Sequence, residues 1–296
     1  MTKTKLKSYE GLFYILPWVA GFLIFQLYPF ISSFIYSFTN YNMMRTPSFV
    51  GLKNYIDLFT NDRDFWKSVW TTIQFAFLSV PVKLVFALLV AVILNMKMRA
   101  VNFYRTVYYL PSLFGGSVAV SILWRLMFMN DGVINQLIGK LGIGPVSWLG
   151  STDVALHTII ILQVWQFGSS MVLFLAALKG VPQELYEASK IDGAGSIRIF
   201  FNVTLPMITP IIFFNMLMQL NNALQNFTSA FVVTGGGPQK STYVLGMKLY
   251  EDAFTHFKMG YASALSWVMF AIIMGFTFIL FRSSNMWVHY EDGGKM

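Results

Sequence analysis

Amide side chains recur at helical spacing along one hydrophobic stretch of the chain. They are Asn215, Gln219, Asn222 and Asn226, with Asn221 and Gln225 beside them. Steps of four, three and four residues place the first four on one face of a helix. An amide without a partner is costly in hydrocarbon, so this stripe is predicted to face other helices or water.

Two further hydrophobic stretches carry polar side chains next to tryptophans. They are Gln163, Gln166 and Ser170 with Trp165, and Ser263 and Ser266 with Trp267. Amides and hydroxyls donate and accept hydrogen bonds, and aromatic rings offer flat apolar faces. Together they suit a neutral, hydroxyl-rich ligand such as a sugar. A phosphate or a metal ion would require arginines or carboxylates, which these three stretches lack.

Two interpretations of these side chains are open. Hydrogen bonds between helices would satisfy them at about 0.6 kcal/mol per contact, and this is the favoured interpretation for any single amide. For the stripe as a whole, a substrate pathway is favoured. The predicted pathway residues are Gln163, Trp165, Gln166, Ser170, Asn215, Gln219, Asn222, Asn226, Ser263 and Trp267.

Motifs for catalysis and energy conversion are missing from the sequence. There is no G-x-x-x-x-G-K-[ST] phosphate loop, so the chain is predicted not to hydrolyse ATP itself. It has no cysteine, and His157, His256 and His289 lack metal-ligand spacing. The hydrophobic stretches contain no acidic residue that could relay protons or sodium, which disfavours ion-coupled transport. We therefore expect no catalytic residue, metal or cofactor in this chain.

The composition is that of a membrane protein. Of 296 residues, 56% are hydrophobic and 11% are charged, whereas soluble domains carry about 25% charged residues. The net charge of +8 includes no basic run long enough for a nucleic-acid patch, and charges that flank membrane spans explain it better. The basic N-terminus resembles a signal peptide, but the apolar run is too long and lacks a clear cleavage site, so it is predicted to be a retained span.

Spans of about 20 residues fit the chain six times. We predict one all-α transmembrane domain over residues 1–296, with spans at about 12–36, 69–94, 107–128, 154–178, 207–233 and 261–281. Basic residues near the span ends favour cytoplasmic termini, which places the loop at 180–206 in the cytoplasm.

Two of the predicted spans contain residues that are unusual in a membrane helix. Lys83, near Pro81, is an ionisable residue inside the second span. Snorkelling to the headgroups or a structural pair is favoured over a role in transport. In the third span, Pro111, Gly115 and Gly116 permit close packing or a kink.

The polar loop between the fourth and fifth predicted spans has the pattern of two short helices. Pro182 suits a first helical turn, and Glu184 and Glu187 suit the positive end of the helix dipole. The sequence Gly193–Gly195 breaks the first helix. The loop is either an amphipathic segment on the membrane surface or a docking element for a soluble partner, and the physical pattern alone leaves both open.

The second helix of the loop is predicted to begin with Ser196 as N-cap and to end at Pro206, because the residue before a proline avoids the helical region. Its predicted apolar face consists of Ile197, Phe200, Phe201 and Thr204. Two helices and a glycine elbow thus lie between two hydrophobic stretches.

Three short sequence motifs in this loop resemble motifs of a known protein family. Glu187–Ser189, Asp192–Ala194 and Leu205–Pro206 are similar to the EAA loop in the permeases of binding-protein-dependent ABC importers. The longer sequence from Pro182 to Gly195 resembles the carbohydrate branch of that family, with a serine at position 189 in place of the more usual second alanine. The match is specific because several fixed residues occur at fixed spacing in the expected part of the chain.

The resemblance implies the fold of a type I ABC importer permease, in which this loop forms the coupling helix. In the family, that helix lies in a groove of the ATP-hydrolysing subunit, so its role is mechanical. The coupling residues that the resemblance implies are Glu184, Glu187, Ala188, Ser189, Asp192, Gly193 and Ala194. Phe49–Tyr55 resembles an FxGLxNY phrase in the family's first outer loop, although a short interfacial helix explains it equally well.

The resemblance also implies partners and a location. These are a second homologous permease subunit, two ATPase subunits that hold ATP and magnesium, an extracytoplasmic substrate-binding protein, and the lipid of a bacterial cytoplasmic membrane, without nucleic acid. The expected function is import of a sugar, specifically an oligosaccharide, by alternating access. The alternatives are a stand-alone secondary transporter or channel, a membrane enzyme, and an importer permease for another solute such as glycerol phosphate.

Overall fold

The computed structural model describes residues 14–44, 46–96 and 99–289, and the described chain is mainly helical. The first helices are α1 Tyr14–Ser37, α2 Lys53–Ile56, α3 Arg63–Asn95, α4 Val101–Leu113, α5 Val118–Met127, α6 Val133–Gly139, α7 Ala155–Trp165 and α8 Gly168–Gly180. They are followed by α9 Gln183–Ile191, α10 Ser196–Met207, α11 Thr209–Leu224, α12 Thr228–Val233, α13 Leu245–Tyr250 and α14 Met259–Trp287. The predicted basic N-terminal tail and the first residues of the predicted first span lie outside the described residues.

Three helices are long and apolar enough to cross a membrane, namely α1, α3 and α14. Three bent pairs pass the same test together: α4 with α5, α7 with α8, and α10 with α11, at angles of 100°, 44° and 65°. The described chain therefore holds three to six candidate spans. The bend between α7 and α8 was not predicted, because apolar content shows that a segment can span a membrane but not that it is straight.

For the third hydrophobic stretch the sequence left close packing or a kink open, and the structure has a kink. The bend of 100° lies between Leu113 and Val118. Gly116 has a φ of +75°, which a glycine adopts without steric cost. Pro111 lies inside the last turns of α4. The break thus occurs where the sequence placed its helix-breaking residues.

The α10 segment corrects three details of the sequence analysis. The N-cap is Gly195 rather than Ser196. The helix does not end at Pro206. A π-turn at Phe200–Thr204 is followed by the helical turn Leu205–Met207. A proline near the start of a helical turn is tolerated, because an N–H group at that position needs no helical partner. The chain bends only after Met207.

The predicted apolar face of α10 is buried only in part, with Phe200 half-buried. Ile197 is 77% exposed and Phe201 is 58% exposed, whereas Ile199 and Thr204 are buried. The two buried residues are five positions apart across the π-turn, so the period of 3.6 residues assumed from sequence does not hold there.

The described residues divide into two compact units. The first comprises the described parts of Met1–Arg63 together with Leu249–Ala271, and the second comprises Asp64–Lys248 with the described part of Ile272–Met296. The core of the second unit consists of apolar side chains from α3, α7, α8 and α11, such as Phe75, Leu162, Phe174 and Leu224. Between membrane helices such contacts act through close packing, because lipid tails are as apolar as the side chains.

In the first unit, side chains of the segment Phe49–Tyr55 cap the C-terminal end of α1. The buried Asn54 donates from Nδ2 to the carbonyl oxygens of Ser37 and Thr39, both at 2.8 Å. The Tyr55 hydroxyl donates to Ser37 Oγ at 2.8 Å. These bonds satisfy carbonyls that have no helical partner at a C-terminus, so the phrase has a structural role.

Candidate functional site

A polar cavity of about 390 Å³ lies in the second unit. Its volume is within the range of small-ligand sites. Most of its wall consists of amides, hydroxyls and exposed backbone. The lining residues are Lys83, Ser112, Gly115, Gly116, Ser121, Gln163, Gln166, Ser169, Gln219, Asn222, Gln225, Asn226, Phe227, Thr228 and Ser229.

The cavity lies where three helix pairs are interrupted. Gly115 and Gly116 belong to the break between α4 and α5, Gln166 to the break between α7 and α8, and Gln225–Phe227 to the break between α11 and α12. Irregular backbone at membrane depth is tolerated only where it is buried in protein or lines a water-filled space. The interruptions therefore mark this cavity as a polar site within an apolar protein.

Close packing of α4 against α8 holds the break at Gln166 in place. A Cβ atom added to Gly168 would lie 2.4 Å from the Tyr108 carbonyl oxygen and 2.7 Å from Tyr109 Cα. Only a glycine permits this approach of two helices, which is how small residues act in membrane helix packing. The same packing places Gln166 Oε1 within 3.2 Å of a Cβ built on Gly115.

The structure brings together five of the predicted pathway residues, which come from separate parts of the sequence. They are Gln163, Gln166, Gln219, Asn222 and Asn226. The helical spacing explains Gln219 and Asn222 on α11, but this helix ends at Leu224. Asn226 lies in the following break, where its Oδ1 accepts a hydrogen bond from Ser229 Oγ at 2.7 Å.

Asn215 and Ser170 are buried in the second unit outside the set that lines this cavity. They are 1% and 0% exposed. Within the described residues, Asn215 Nδ2 and Ser170 Oγ have no hydrogen-bond partner. Their predicted place in a substrate pathway stays a prediction.

The two predicted tryptophans lie in different surroundings. Trp165 lines a second, apolar cavity of about 760 Å³, with Trp124 at 5.8 Å between ring centroids. Trp267 belongs to the first unit, where its Nε1 donates to Ser33 Oγ at 3.2 Å and its ring packs on Phe30 and Phe34. Ser263 lies in the same unit, and its carbonyl oxygen accepts from Ser266 Oγ. The pathway role of Trp165, Ser263 and Trp267 also stays a prediction.

Lys83 is the charged residue of the described cavity wall, and it was not among the predicted pathway residues. It is 4% exposed, and its Nζ donates to Gln219 Oε1 at 2.8 Å. Twelve residues separate it from the end of α3 at Asn95, which is about 18 Å along a helix. Snorkelling to that end is therefore wrong, whereas the predicted structural pair is confirmed with Gln219 as the partner.

The lysine changes the electrostatics expected for the site. The three hydrophobic stretches that suggested a neutral cavity contribute amides and hydroxyls, but α3 adds a cation. Among the described residues, no aspartate, glutamate or arginine lines the cavity. The wall therefore carries one positive charge and a surrounding set of polar, uncharged groups.

Several hydroxyls in the wall were not anticipated, including Ser112, Ser121 and Ser169. Ser112 and Ser121 flank the break that the proline and glycines had indicated, so a search for polar residues around that break could have found them. Ser169 lies in the first turn of α8, and the only signal for it is its proximity to Gln166 in the sequence.

Helix α9 is the second polar region, and none of its residues is buried. Glu184 in its first turn and Lys190 in its last turn complement the helix dipole. The side chains of Glu184, Glu187, Ala188 and Asp192 are exposed. An exposed helix with this pattern can act as a contact surface.

A glycine ends α9 through a Schellman motif. Gly193 has a φ of +75°. The amide of Ala194 donates to the Ser189 carbonyl oxygen and the amide of Gly193 donates to that of Lys190, both at 3.0 Å. The predicted break at Gly193–Gly195 is therefore confirmed.

One side-chain contact joins α9 to the next helix, and two side-chain bonds lie within α9 itself. The Tyr186 hydroxyl and Thr204 Oγ1 are 3.2 Å apart. Ser189 Oγ donates back to the Leu185 carbonyl oxygen at 2.7 Å, and Gln183 Nε2 donates to Glu187 Oε1 at 3.2 Å. Helix α9 is thus held at one side by α10, while its acidic and small residues stay accessible.

Comparison with known proteins identifies the class. Residues 58–288 match the family described as binding-protein-dependent transport system inner membrane component. The chain is 46% identical over 285 residues to the probable ABC transporter permease protein YesP of Bacillus subtilis strain 168, covering 95% of this chain and 92% of that protein. It is 34% identical over 262 residues to the probable starch degradation products transport system permease protein AmyD of Thermoanaerobacterium thermosulfurigenes, covering 88% of each.

The fold is that of a solved importer chain. The structure matches a chain of a bacterial alginate ABC transporter, solved in complex with an alginate pentasaccharide-bound periplasmic protein, with a TM-score of 0.83. The match covers 96% of this chain and 97% of that chain at 21% sequence identity. Helices, cavity and family together define a membrane permease of the ABC importer class. The chain belongs to the binding-protein-dependent transport system inner membrane component family.

Proposed function

We propose that this chain is the permease subunit of an ATP-driven importer that carries a carbohydrate, specifically an oligosaccharide. The observation that supports this most strongly is the cavity at the three helix breaks, whose wall of amides and hydroxyls suits a hydroxyl-rich ligand. The similarity to a permease named for transport of starch degradation products agrees with this choice.

In this proposal, the bent helix pairs each count as one membrane crossing. The chain then has six spans in a single transmembrane domain, and both termini lie in the cytoplasm of a bacterium with the chain in its cytoplasmic membrane. The positions of the three bends support this arrangement, because each pair is apolar enough to span only when its two helices are taken together.

Helix α9 would transmit the motion of the ATPase. Its exposed residues Glu184, Glu187, Ala188 and Asp192 would contact a groove of the ATPase, and Gly193 would set the angle between α9 and α10. Closure of two ATPase subunits on ATP and magnesium would turn the cavity outward, and product release would turn it inward. Ser189 and Ala194 would lie at the edge of that contact.

The proposed complex contains further partners outside this chain. A second homologous permease would complete the central path, and an extracytoplasmic binding protein would deliver the sugar. We expect ATP hydrolysis, with its nucleotide and metal, to be in the ATPase subunits. The chain itself would contribute a path and a mechanical link, without a catalytic residue.

Site-directed crosslinking in native membranes tests this proposal. The sequence has no cysteine, so Ala188→Cys creates a unique thiol on the exposed face of α9 for a photoactivated crosslinker. Lys140→Cys, exposed beyond α6, is the matched control on the predicted outer side. Crosslinked partners and co-purifying chains are identified by mass spectrometry.

The two outcomes are distinct. The proposal predicts an ATPase crosslinked to the α9 thiol and not to the control thiol, together with a second permease in the purified complex. A lone chain without an ATPase, under conditions that preserve known importer complexes, would contradict it and favour a stand-alone transporter.

A further inference from the structure

Lys83 is held inside the cavity wall rather than at the membrane surface. It is 4% exposed and lies in the interior of the 33-residue helix α3. Its partner Gln219 is on α11 and is 7% exposed. A charge at such a position is expensive, and in membrane proteins it usually marks a functional path.

The bond to Gln219 leaves most of the lysine's donor capacity available. A lysine ammonium has three donors and no acceptor, and among described residues one protein acceptor is within hydrogen-bond distance of it. Because a lysine cannot accept, Gln219 must present its oxygen to Lys83, and its two N–H donors remain. The pair therefore offers donors to whatever occupies the cavity.

Asn226, in the break between α11 and α12, has a similar arrangement. Its Oδ1 is occupied by the Ser229 hydroxyl at 2.7 Å. Its Nδ2 has no hydrogen-bond partner within the described part of the chain. The oxygens of these two wall amides are thus occupied by protein donors, so each can offer only its N–H groups to a further partner.

The ammonium also lacks a balancing charge. Among the residues that the structure describes, the cavity wall contains no carboxylate. A buried charge without an opposite charge is costly, and an anionic ligand would relieve that cost when it binds. The first turn of α8 reaches the same wall at Ser169, and the positive end of its dipole acts in the same direction.

We propose that the cavity selects a sugar that bears a carboxylate, a uronic acid unit, through an ion pair with Lys83. The inference rests on the proposed function of sugar import and narrows its substrate class. Lys83 becomes a specificity-determining residue, with Gln219 holding its ammonium.

A carboxylate fits this wall better than a phosphate ester. A phosphate carries close to two negative charges and is commonly bound by arginine forks or several cations. The wall has one cation, and none of its described residues is an arginine. One ammonium balances one carboxylate, while the remaining amides and hydroxyls suit the hydroxyls of the sugar ring.

Direct binding to the purified permease–ATPase complex, without the binding protein, tests this inference. The ligands are a set of disaccharides of glucuronic, galacturonic, mannuronic and guluronic acids, together with the same sugars after reduction of each carboxyl group to a primary alcohol. This pairing changes the charge and keeps the linkage and stereochemistry. Glycerol 3-phosphate and a disaccharide phosphate are measured in parallel by calorimetry.

Three variants separate charge from packing. Lys83→Met removes the charge at similar length, Lys83→Arg keeps it, and Gln219→Glu neutralises it from the neighbouring position. Lys140→Met is the matched control, since Lys140 is exposed outside the cavity. Size-exclusion profiles confirm that each complex remains assembled.

We expect at least one acidic disaccharide to bind roughly 10- to 100-fold more tightly than its reduced form, the range of a hydrogen bond to a charged group. Lys83→Met and Gln219→Glu should each abolish that preference, and Lys83→Arg and Lys140→Met should retain it. Equal binding of the acidic and reduced sugars, or a preference for phosphate esters, would overturn the inference. If the wild-type complex also fails to import any sugar with its binding protein, the proposed function itself fails.

Discussion

The cavity and helix α9 are two polar regions of a largely apolar chain, and they are built in opposite ways. The cavity gathers side chains from seven helices around three interruptions, so its geometry depends on long-range packing. Helix α9 is one short exposed segment ended by a Schellman motif, so its geometry depends on local backbone conformation. The proposed ligand site and the proposed partner site are therefore expected to fail through different kinds of mutation.

The largest expected effect comes from Gly168→Val, which disrupts the packing of α8 against α4 beside the cavity. The added side chain would overlap the Tyr108 carbonyl oxygen, since a Cβ alone lies 2.4 Å from it. Such overpacking costs about 1–3 kcal/mol or more. We expect a strong loss of folded protein, measured by thermal unfolding in detergent and by fluorescence-detected size exclusion.

Gly180→Val is the matched control for that variant. It makes the same substitution on the same helix, where a Cβ meets no atom within 4 Å. Equal thermal stability of the two variants would show that the close approach of α4 and α8 does not hold the cavity.

The second-largest effect is expected from Gly193→Val, which disrupts the backbone conformation that ends α9. A β-branched residue at a φ of +75° is strained by about 1–3 kcal/mol, and Gly193 is exposed, so the strain should reorient α9 without unfolding the chain. We expect ATP-dependent uptake to fall about tenfold or more while the amount of membrane-inserted protein stays unchanged.

Gly195→Val provides the comparison, because Gly195 has a φ of −73° that any residue adopts. It should retain most of the uptake. Normal uptake by the Gly193→Val protein would show that the backbone conformation at Gly193 is not needed for coupling to the ATPase.

A smaller, structural effect is expected from Asn54→Ala in the first unit. It removes the donor to the carbonyl oxygens of Ser37 and Thr39, and leaving buried groups unpaired costs about 1–3 kcal/mol. We expect a lower unfolding temperature, with sugar selectivity unchanged in the protein that folds. The exposed Asn61→Ala, whose Nδ2 bonds only to Asp57 in the described chain, should have little effect. A changed selectivity in the Asn54 variant would mean that the phrase Phe49–Tyr55 has a functional role.

The smallest effect is expected from Ser189→Ala, which introduces the residue that is more usual in the EAA loop. It removes the bond from Ser189 Oγ to the Leu185 carbonyl oxygen on a helix without buried residues. Alanine is the better helix former, by about 0.5 kcal/mol. Uptake within twofold of the wild type is expected in the same transport assay, and a large loss would assign the hydroxyl a direct contact.

The sequence could predict α9 well because its information is contiguous. The acids of the first turn, the glycine elbow and the family phrase all lie between Pro182 and Gly195, and the structure has the expected helix and break there. The prediction for this loop was wrong only after Gly195, where the π-turn at Phe200–Thr204 changes the spacing of buried residues. A π-turn leaves no regular signature in hydrophobic periodicity.

Only part of the cavity could be predicted, because periodicity shows one face of one helix at a time. It identified Gln219 and Asn222 on α11 and Gln163 near the end of α7, which the structure brings to one wall. It could not show that Lys83 meets Gln219, since 136 residues separate them. The positive charge of the site became visible only when the helices were placed in three dimensions.

The measurement that tests the central claim most directly is substrate protection of a unique thiol in the cavity. Asn222→Cys places a thiol in the cavity wall, at an exposed position of a chain without cysteines. In proteoliposomes with the complete importer, modification of this position is followed by mass spectrometry while ATP-dependent sugar uptake is measured. The account predicts that the transported sugar slows modification at Asn222→Cys but not at Lys140→Cys, and that modification stops uptake. Unchanged modification in the presence of a transported sugar, or full uptake after complete modification, would contradict it.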